Sequence, residues 1–151
     1  MPQSGYEAER SAVLHPMDDG VFLGTESTTG HDAAAVVSLC RLGTADVPSS
    51  GVAAENHLEV RLLDSDDPDA NYNLEFILAD TSDVIAEMRA EGHRVLVHCV
   101  RAEQRTPSVA LAYAIRKGAT PEEAQVMIAN ALPDSRRSCR LWDQAAGGRL
   151  Y

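Results

Sequence analysis

Val95-Leu96-Val97-His98-Cys99-Val100-Arg101-Ala102-Glu103-Gln104-Arg105-Thr106-Pro107-Ser108 is the stretch that decides the fold. It opens on a short apolar run that reads as a buried strand. The run delivers a cysteine. Five residues separate that cysteine from an arginine, and the Thr-Pro that follows reads as a helix start. A strand end, a short loop and a helix N-terminus, in that order, gather backbone N–H groups around one point, and such a point holds an anion. A cysteine at the base of the loop sits in a positive field that favours its thiolate. The arginine offers a planar fork for two phosphate oxygens. Thiolate, anion cradle and fork together point to phosphoryl transfer through a cysteine.

Outward from this stretch the chain alternates between strand and helix patterns. Residues 13–24 hold a short strand or two, 33–42 form an apolar buried strand, and 57–63 alternate enough for another. Between them, 43–56 is rich in Ser, Gly, Pro and Ala and reads as a loop, and 64–71 is an acidic loop containing Pro68. Asn71 or Asn73 starts a helix whose inward face is Leu74, Ile77, Leu78, Thr81, Ile85 and Met88, and Gly92 ends it. After the central stretch, Thr106 caps a helix with Pro107 at its first position, and Gly118 ends it. Thr120-Pro121-Glu122-Glu123 is a capping box for the next, which Pro133 stops. Residues 138–147 form a last short helix with Leu141 and Trp142 packing back. Strands separated by helices predict a single α/β domain. Its central, mainly parallel sheet has four to five strands and helices on both faces. Residues 1–12 read as a flexible tail and 13–151 as the catalytic domain.

Composition bounds the partners. The 151 residues suffice for one domain with a real core, and 44% of them are hydrophobic. No apolar run approaches the ~20 residues of a membrane span, and the first ten residues lack the apolar core of a signal peptide. Three widely spaced cysteines argue against a disulfide framework and for a reducing compartment, the cytoplasm. The net charge of −10 makes nucleic acid and anionic membranes poor partners. An anionic substrate must then be drawn in by charge local to the pocket.

The central stretch resembles the signature of the cysteine-dependent protein tyrosine phosphatases, and within them the dual-specificity phosphatases: His-Cys-x-x-Gly-x-x-Arg-Ser/Thr. It falls on His98, Cys99, Arg105 and Thr106. Ala102 stands where the family has a glycine, and Gln104 where a serine is common. Val21-Phe22-Leu23-Gly24 looks like the opening strand motif of such domains, so the resemblance spans about residues 15–145. It implies that Cys99 is the nucleophile and Arg105 the ligand of the transferring phosphoryl group. The loop residues Val100, Arg101, Ala102, Glu103 and Gln104 complete the phosphate cradle. Thr106 eases departure of the thiolate in the second step, and His98 organises the loop from beneath. It implies no metal and no cofactor.

The leaving group needs a proton donor, which the family carries as an aspartate on a loop about thirty residues before the cysteine. Asp64, Asp66, Asp67 and Asp69 crowd that region. Asp64 follows the strand directly, as the family acid does, while Asp67 has the more usual distance to the cysteine. Asp64 is slightly favoured. Cys40 ends an apolar run on a strand next to the one carrying Cys99, and phosphoinositide-phosphatase relatives use a similar cysteine as a reversible disulfide partner. A small core residue is about twice as common a reading, and Cys139 reads as a bystander.

The implied activity is hydrolysis of phosphomonoesters through a phosphocysteine. Two other functions share the loop: a phospho-binding pseudophosphatase with little turnover, which Ala102 and Gln104 would suit, and a rhodanese-like sulfurtransferase. Glu103 repels highly charged inositol phosphates, and Arg101 is the loop's single basic insert. Phosphorylated proteins or small phosphomonoesters therefore rank above lipids as substrates.

Overall fold

The computed structural model describes residues 12–25, 32–40 and 51–147. Among the described residues five strands form: β1 (Val13–His15), β2 (Asp18–Thr25), β3 (Ala35–Ser38), β4 (His57–Glu59) and β5 (Val95–Cys99). Their order is β1-β2-β5-β3-β4. The strand that ends in Cys99 is thus the central one, parallel to β2 on one side and β3 on the other. Only β1, joined to β2 by a tight turn, runs antiparallel. The expected α/β architecture with a mainly parallel sheet is what the chain forms.

Side-chain alternation divides the interior in two. Val21, Leu23, Ala35, Val37, Val95, Val97 and Cys99 enter the main core, shared with the buried residues of all four helices. Phe22, Val36 and Leu96 point the other way into a smaller cluster with Val52, Ala12 and Ala33. A strand buried on both faces must be apolar throughout, which is why Val95-Leu96-Val97 shows no polar alternation.

The helices are α1 (Leu74–Ala90), α2 (Arg105–Arg116), α3 (Pro121–Ala131) and α4 (Arg140–Ala146). In α1, Leu74, Leu78, Ile85 and Met88 are buried, as their spacing predicts. Neither asparagine caps it through a side chain. Asn73 holds the N-cap position with φ 55 and makes no cap bond, while the amide of Asn71 binds Leu63 instead. Helix α2 begins two residues earlier than expected, with Gln104 at its N-cap. Thr106 and Pro107 therefore lie inside the first turn. Pro107 is tolerated there because the first four N–H groups of a helix have no partner within it. The capping box of α3 forms as read, with Thr120 and Glu123 bonded reciprocally.

Two strands are shorter than their sequence patterns. The segment read as 57–63 pairs only over His57–Glu59. One more bond, from Val60 N–H to Ser38 O, extends the pairing, after which β3 offers no further partner. Likewise β3 covers Ala35–Ser38 of the expected 33–42. The predicted N-terminal tail and most of the loop read as 43–56 lie outside the described residues, apart from a 3-10 turn, Ala54–Asn56.

Candidate active site

Cys99 is the last residue of β5 and is buried at 2% exposure. The chain turns at once into the loop of residues 100–104 and enters α2 at Arg105. Two groups donate hydrogen bonds to Cys99 Sγ: the Ala102 N–H at 3.2 Å and the Thr106 hydroxyl at 3.0 Å. Thr106 Oγ1 also lies 3.4 Å from Gly24 O. With a single proton it serves one acceptor at a time, and the sulfur is nearer. Two donors converging on one sulfur suit a thiolate acceptor better than a thiol.

The loop turns at Ala102, which has φ 59 and is one of two non-glycine residues with positive φ among those described. This is the position where the resembled signature has glycine. A glycine reaches that conformation without a Cβ clash, whereas alanine does so at a cost of about 1–2 kcal/mol. The turn is nevertheless made, and it aims the Ala102 N–H at the sulfur. Val100, Arg101 and Glu103 are exposed on the loop, and Gln104 is half-buried. The Glu103 carbonyl accepts from Arg136 N–H at 2.7 Å, which ties the loop to the segment before α4.

Arg105 leaves the first turn of α2 and reaches across to the ends of β3 and β4. Its Nη1 donates to Leu39 O at 3.1 Å and Leu62 O at 3.4 Å. Its Nε stands 3.1 Å from Asp64 Oδ1, an ion pair without an aligned hydrogen bond. Of the two candidate acids, Asp64 is therefore the one brought to the loop. The Asp67 carboxylate accepts from Asp69 N–H within its own exposed turn. Asp66 accepts from Arg140 N–H at 2.9 Å and pairs with Arg136, so it anchors α4. A cleft of about 520 Å³ opens beside Arg105, lined among others by Cys40, Leu62, Leu63 and Tyr72.

Beneath the loop, on the opposite face of the sheet, runs a polar chain that sequence reading missed. Ser38 lies opposite His98 in the β3–β5 register. Ser38 Oγ is 2.6 Å from His98 Nε2 and 2.8 Å from His57 Nε2, and all three residues are buried. With one hydroxyl proton, Ser38 donates to at most one ring, so at least one imidazole donates its Nε2–H to the serine. Burial pushes the His57 pKa down, although the charge of Glu59 acts the other way. A serine inside an otherwise apolar run was the only local signal of this network.

Cys40 follows β3 by two residues and is 5% exposed in the same core cluster as Cys99. The Leu39 N–H bonds His98 O at 2.8 Å, so this chain end runs alongside the base of the loop. None of the three cysteines is in a disulfide. Cys139 is buried at the N-cap of α4, where burial raises its pKa. Among the described residues no cluster of three or more His, Cys, Asp or Glu could hold a metal ion, and no helix is long and apolar enough to cross a membrane.

No family model matches the chain, and no curated protein does. Solved structures do. Human DUSP28 superposes with a TM-score of 0.72 at 22% identity, covering 90% of this chain and 94% of that one. The PTP-2 phosphatase of Cydia pomonella gives 0.68 at 18% identity, with 91% and 89% covered. The human tyrosine phosphatase-like serine/threonine/tyrosine-interacting protein gives 0.65 at 16% identity, with 91% and 95% covered. At these identities the likeness is one of fold, and the fold is that of the dual-specificity and tyrosine phosphatases.

Proposed function

We propose that this protein is a cysteine-dependent phosphatase that hydrolyses phosphomonoesters through a phosphocysteine intermediate. The observation that carries the reading is the convergence at one buried sulfur: Ala102 N–H and Thr106 Oγ1 both donate to Cys99 Sγ at the N-terminus of α2, which begins with Arg105. In the first step the Cys99 thiolate attacks phosphorus. The bond from phosphorus to the leaving oxygen breaks, and its electron pair goes with that oxygen. The loop N–H groups and the Arg105 fork bear the charge on the equatorial oxygens. Asp64 donates a proton to the leaving oxygen. In the second step Asp64 takes a proton from water as it attacks the phosphocysteine. The phosphorus–sulfur bond breaks, and the Thr106 hydroxyl bonds the departing thiolate.

In the unliganded protein Asp64 is held in an ion pair with Arg105. An incoming phosphoryl group competes for the guanidinium, and its arrival releases the carboxyl toward the leaving group. The freed carboxyl takes a proton from solvent before it acts as the acid. Ser38, linked to both His98 and His57, holds the end of β5 that carries the nucleophile. Cys40 serves as a redox partner in this reading. A peroxide oxidises the Cys99 thiolate to a sulfenic acid, and the Cys40 thiol attacks that sulfur with loss of water to give a disulfide.

The test is hydrolysis of p-nitrophenyl phosphate in chelator-treated buffer, with inhibition by vanadate. Cys99→Ser should abolish turnover and keep phosphate-ester binding, because the cradle is mostly backbone. Arg105→Lys should restore the charge but not the fork, and so recover little activity. Full activity in Cys99→Ser would end the reading. A pseudophosphatase is the second reading, favoured by the strained Ala102 turn; binding without turnover in the wild-type protein would establish it.

A further inference from the structure

Arg61 is an exposed arginine that makes no ion pair and no hydrogen bond among the described residues. Its counterparts are engaged: Arg89, Arg94, Arg105, Arg116 and Arg136 each pair with an aspartate. In a chain with 23 acids against 13 bases, a cation left without a carboxylate is open to an anion from outside.

Its place in the fold says which anion. Arg61 lines the same cleft of about 520 Å³ as Arg105. The two are close along the backbone as well, because Arg105 Nη1 donates to the carbonyl of Leu62, the residue after Arg61, at 3.4 Å. None of the cleft's lining residues is acidic. The carboxylates of the neighbouring loop turn elsewhere: Asp64 pairs with Arg105, Asp66 with Arg136, and Asp67 accepts from Asp69 N–H. Arg101 and Glu103 are exposed on the loop that follows Cys99, and neither lines this cleft. Much of the remaining wall is apolar, from Leu62, Leu63 and Ile77, and two bonds between Asn71 and Leu63 hold it in place. A group held at Arg105 thus has a second positive charge beside it, across a largely apolar wall. An extended peptide advances about 3.3 Å per residue, so a side chain one or two residues away comes within reach of a long arginine.

We propose that Arg61 is a specificity-determining residue that pairs with a carboxylate of a phosphopeptide substrate, on an Asp or Glu within two residues of the phosphoresidue. The proposal rests on the phosphatase reading, which seats the phosphoryl group at Arg105. The field of the whole protein works against such a substrate, since a net charge of −10 repels acidic peptides. A preference for acids therefore has a local cation as its source.

The experiment uses phosphotyrosine peptides that carry one Glu in turn at each of the two positions on either side, in a Gln background, with a matching Lys series. At one of these positions the wild-type protein should favour Glu over Gln by about three- to fivefold in kcat/KM, the upper range of an exposed ion pair. Salt at about 0.5 M should erase the preference. Arg61→Lys should keep most of it, Arg61→Gln should make the two peptides equal, and Arg61→Glu should favour the Lys peptide. The preference should survive Arg101→Gln. A wild-type preference for Lys, or equal rates at every position, overturns the proposal. So does a Glu preference that survives Arg61→Gln or vanishes in Arg101→Gln. If the wild type fails to hydrolyse p-nitrophenyl phosphate, the phosphatase reading falls on its own. Fluorescence anisotropy with the same peptides then decides the role of Arg61: a Glu preference in Kd that is lost in Arg61→Gln supports it, and equal Kd values refute it.

Discussion

Replacing Ala102 by glycine should have the opposite sign to an alanine-to-glycine change in a helix. Ala102 sits at φ 59, where a Cβ approaches the following carbonyl at a cost of about 1–2 kcal/mol. Glycine removes that cost, but it also loosens the unfolded chain, which offsets about 0.4–1 kcal/mol. The net expectation is a change from near zero to about 1.6 kcal/mol in favour of the folded state. Ala86, half-buried in the middle of α1, has no such strain, and Ala86→Gly should cost about 0.5–1 kcal/mol. The gap between the two variants is thus about 0.5–2.6 kcal/mol. For a domain of this size each kcal/mol moves Tm by roughly 2–4 °C, so thermal unfolding resolves the difference. The Ala102 N–H is also a donor to Cys99 Sγ. Ala102→Gly should therefore keep p-nitrophenyl phosphate hydrolysis at the wild-type rate or above. Ala102→Val should lower both stability and rate, because a β-branched side chain fits this conformation worst. If Ala102→Gly destabilises as much as Ala86→Gly, the loop is not strained at this residue and the reasoning fails.

Asp64→Asn should slow hydrolysis of esters with poor leaving groups, such as phenyl phosphate, by 10²-fold or more while sparing p-nitrophenyl phosphate, on the order of general acid catalysis; Asp67→Asn should not, and the reverse pattern would move the acid to Asp67. Ser38→Ala should lower kcat about tenfold with little change in KM, as loss of one buried hydrogen-bond centre implies, and Ser38→Thr should restore part of it. An unchanged kcat in Ser38→Ala would remove the chain beneath the loop from the reaction. Stability should decline as pH falls below about 6.5, the unfolded histidine value. Burial lowers the His15 pKa against the opposing bond to Ala110 O and the Asp18 charge, so below that pH the unfolded chain takes up a proton that the folded one resists. Asp18 adds a second loss at lower pH. Burial alone would raise its pKa, yet bonds from Arg89, Tyr113 and Gly20 N–H hold it below the usual carboxylate range. Its stabilisation is present above pH ~4 and disappears as pH falls through the folded value. Urea midpoints at about pH 7.5, 5.5, 4 and 2.5 read both losses; a flat profile would contradict them.

What the amino-acid order by itself determined was local. Cys99, Arg105 and Thr106 lie within one strand–loop–helix segment, so short-range backbone geometry is enough to converge them. The core face of α1 and the Thr120–Glu123 capping box were legible for the same reason: each is set by helical spacing over a few residues. Asp64 was favoured over Asp67 only slightly, from its place directly after the strand; its contact with Arg105 depends on how the bonds between Leu63 and Asn71 close the acidic loop in space. The carbonyls of Leu39 and Leu62 that hold Arg105 were not legible. The chain from His57 through Ser38 to His98 exists only because β3 pairs with both β4 and β5 in one register, and a slip of a single residue would turn Ser38 to the other face. The helix start misread at Thr106 has a related cause, since that hydroxyl is used on Cys99 and not on its own helix. Spacing along the chain decides contacts within a turn or two. Contacts across tens of residues are decided by strand register and by which face each side chain must bury, and those are properties of the assembled sheet.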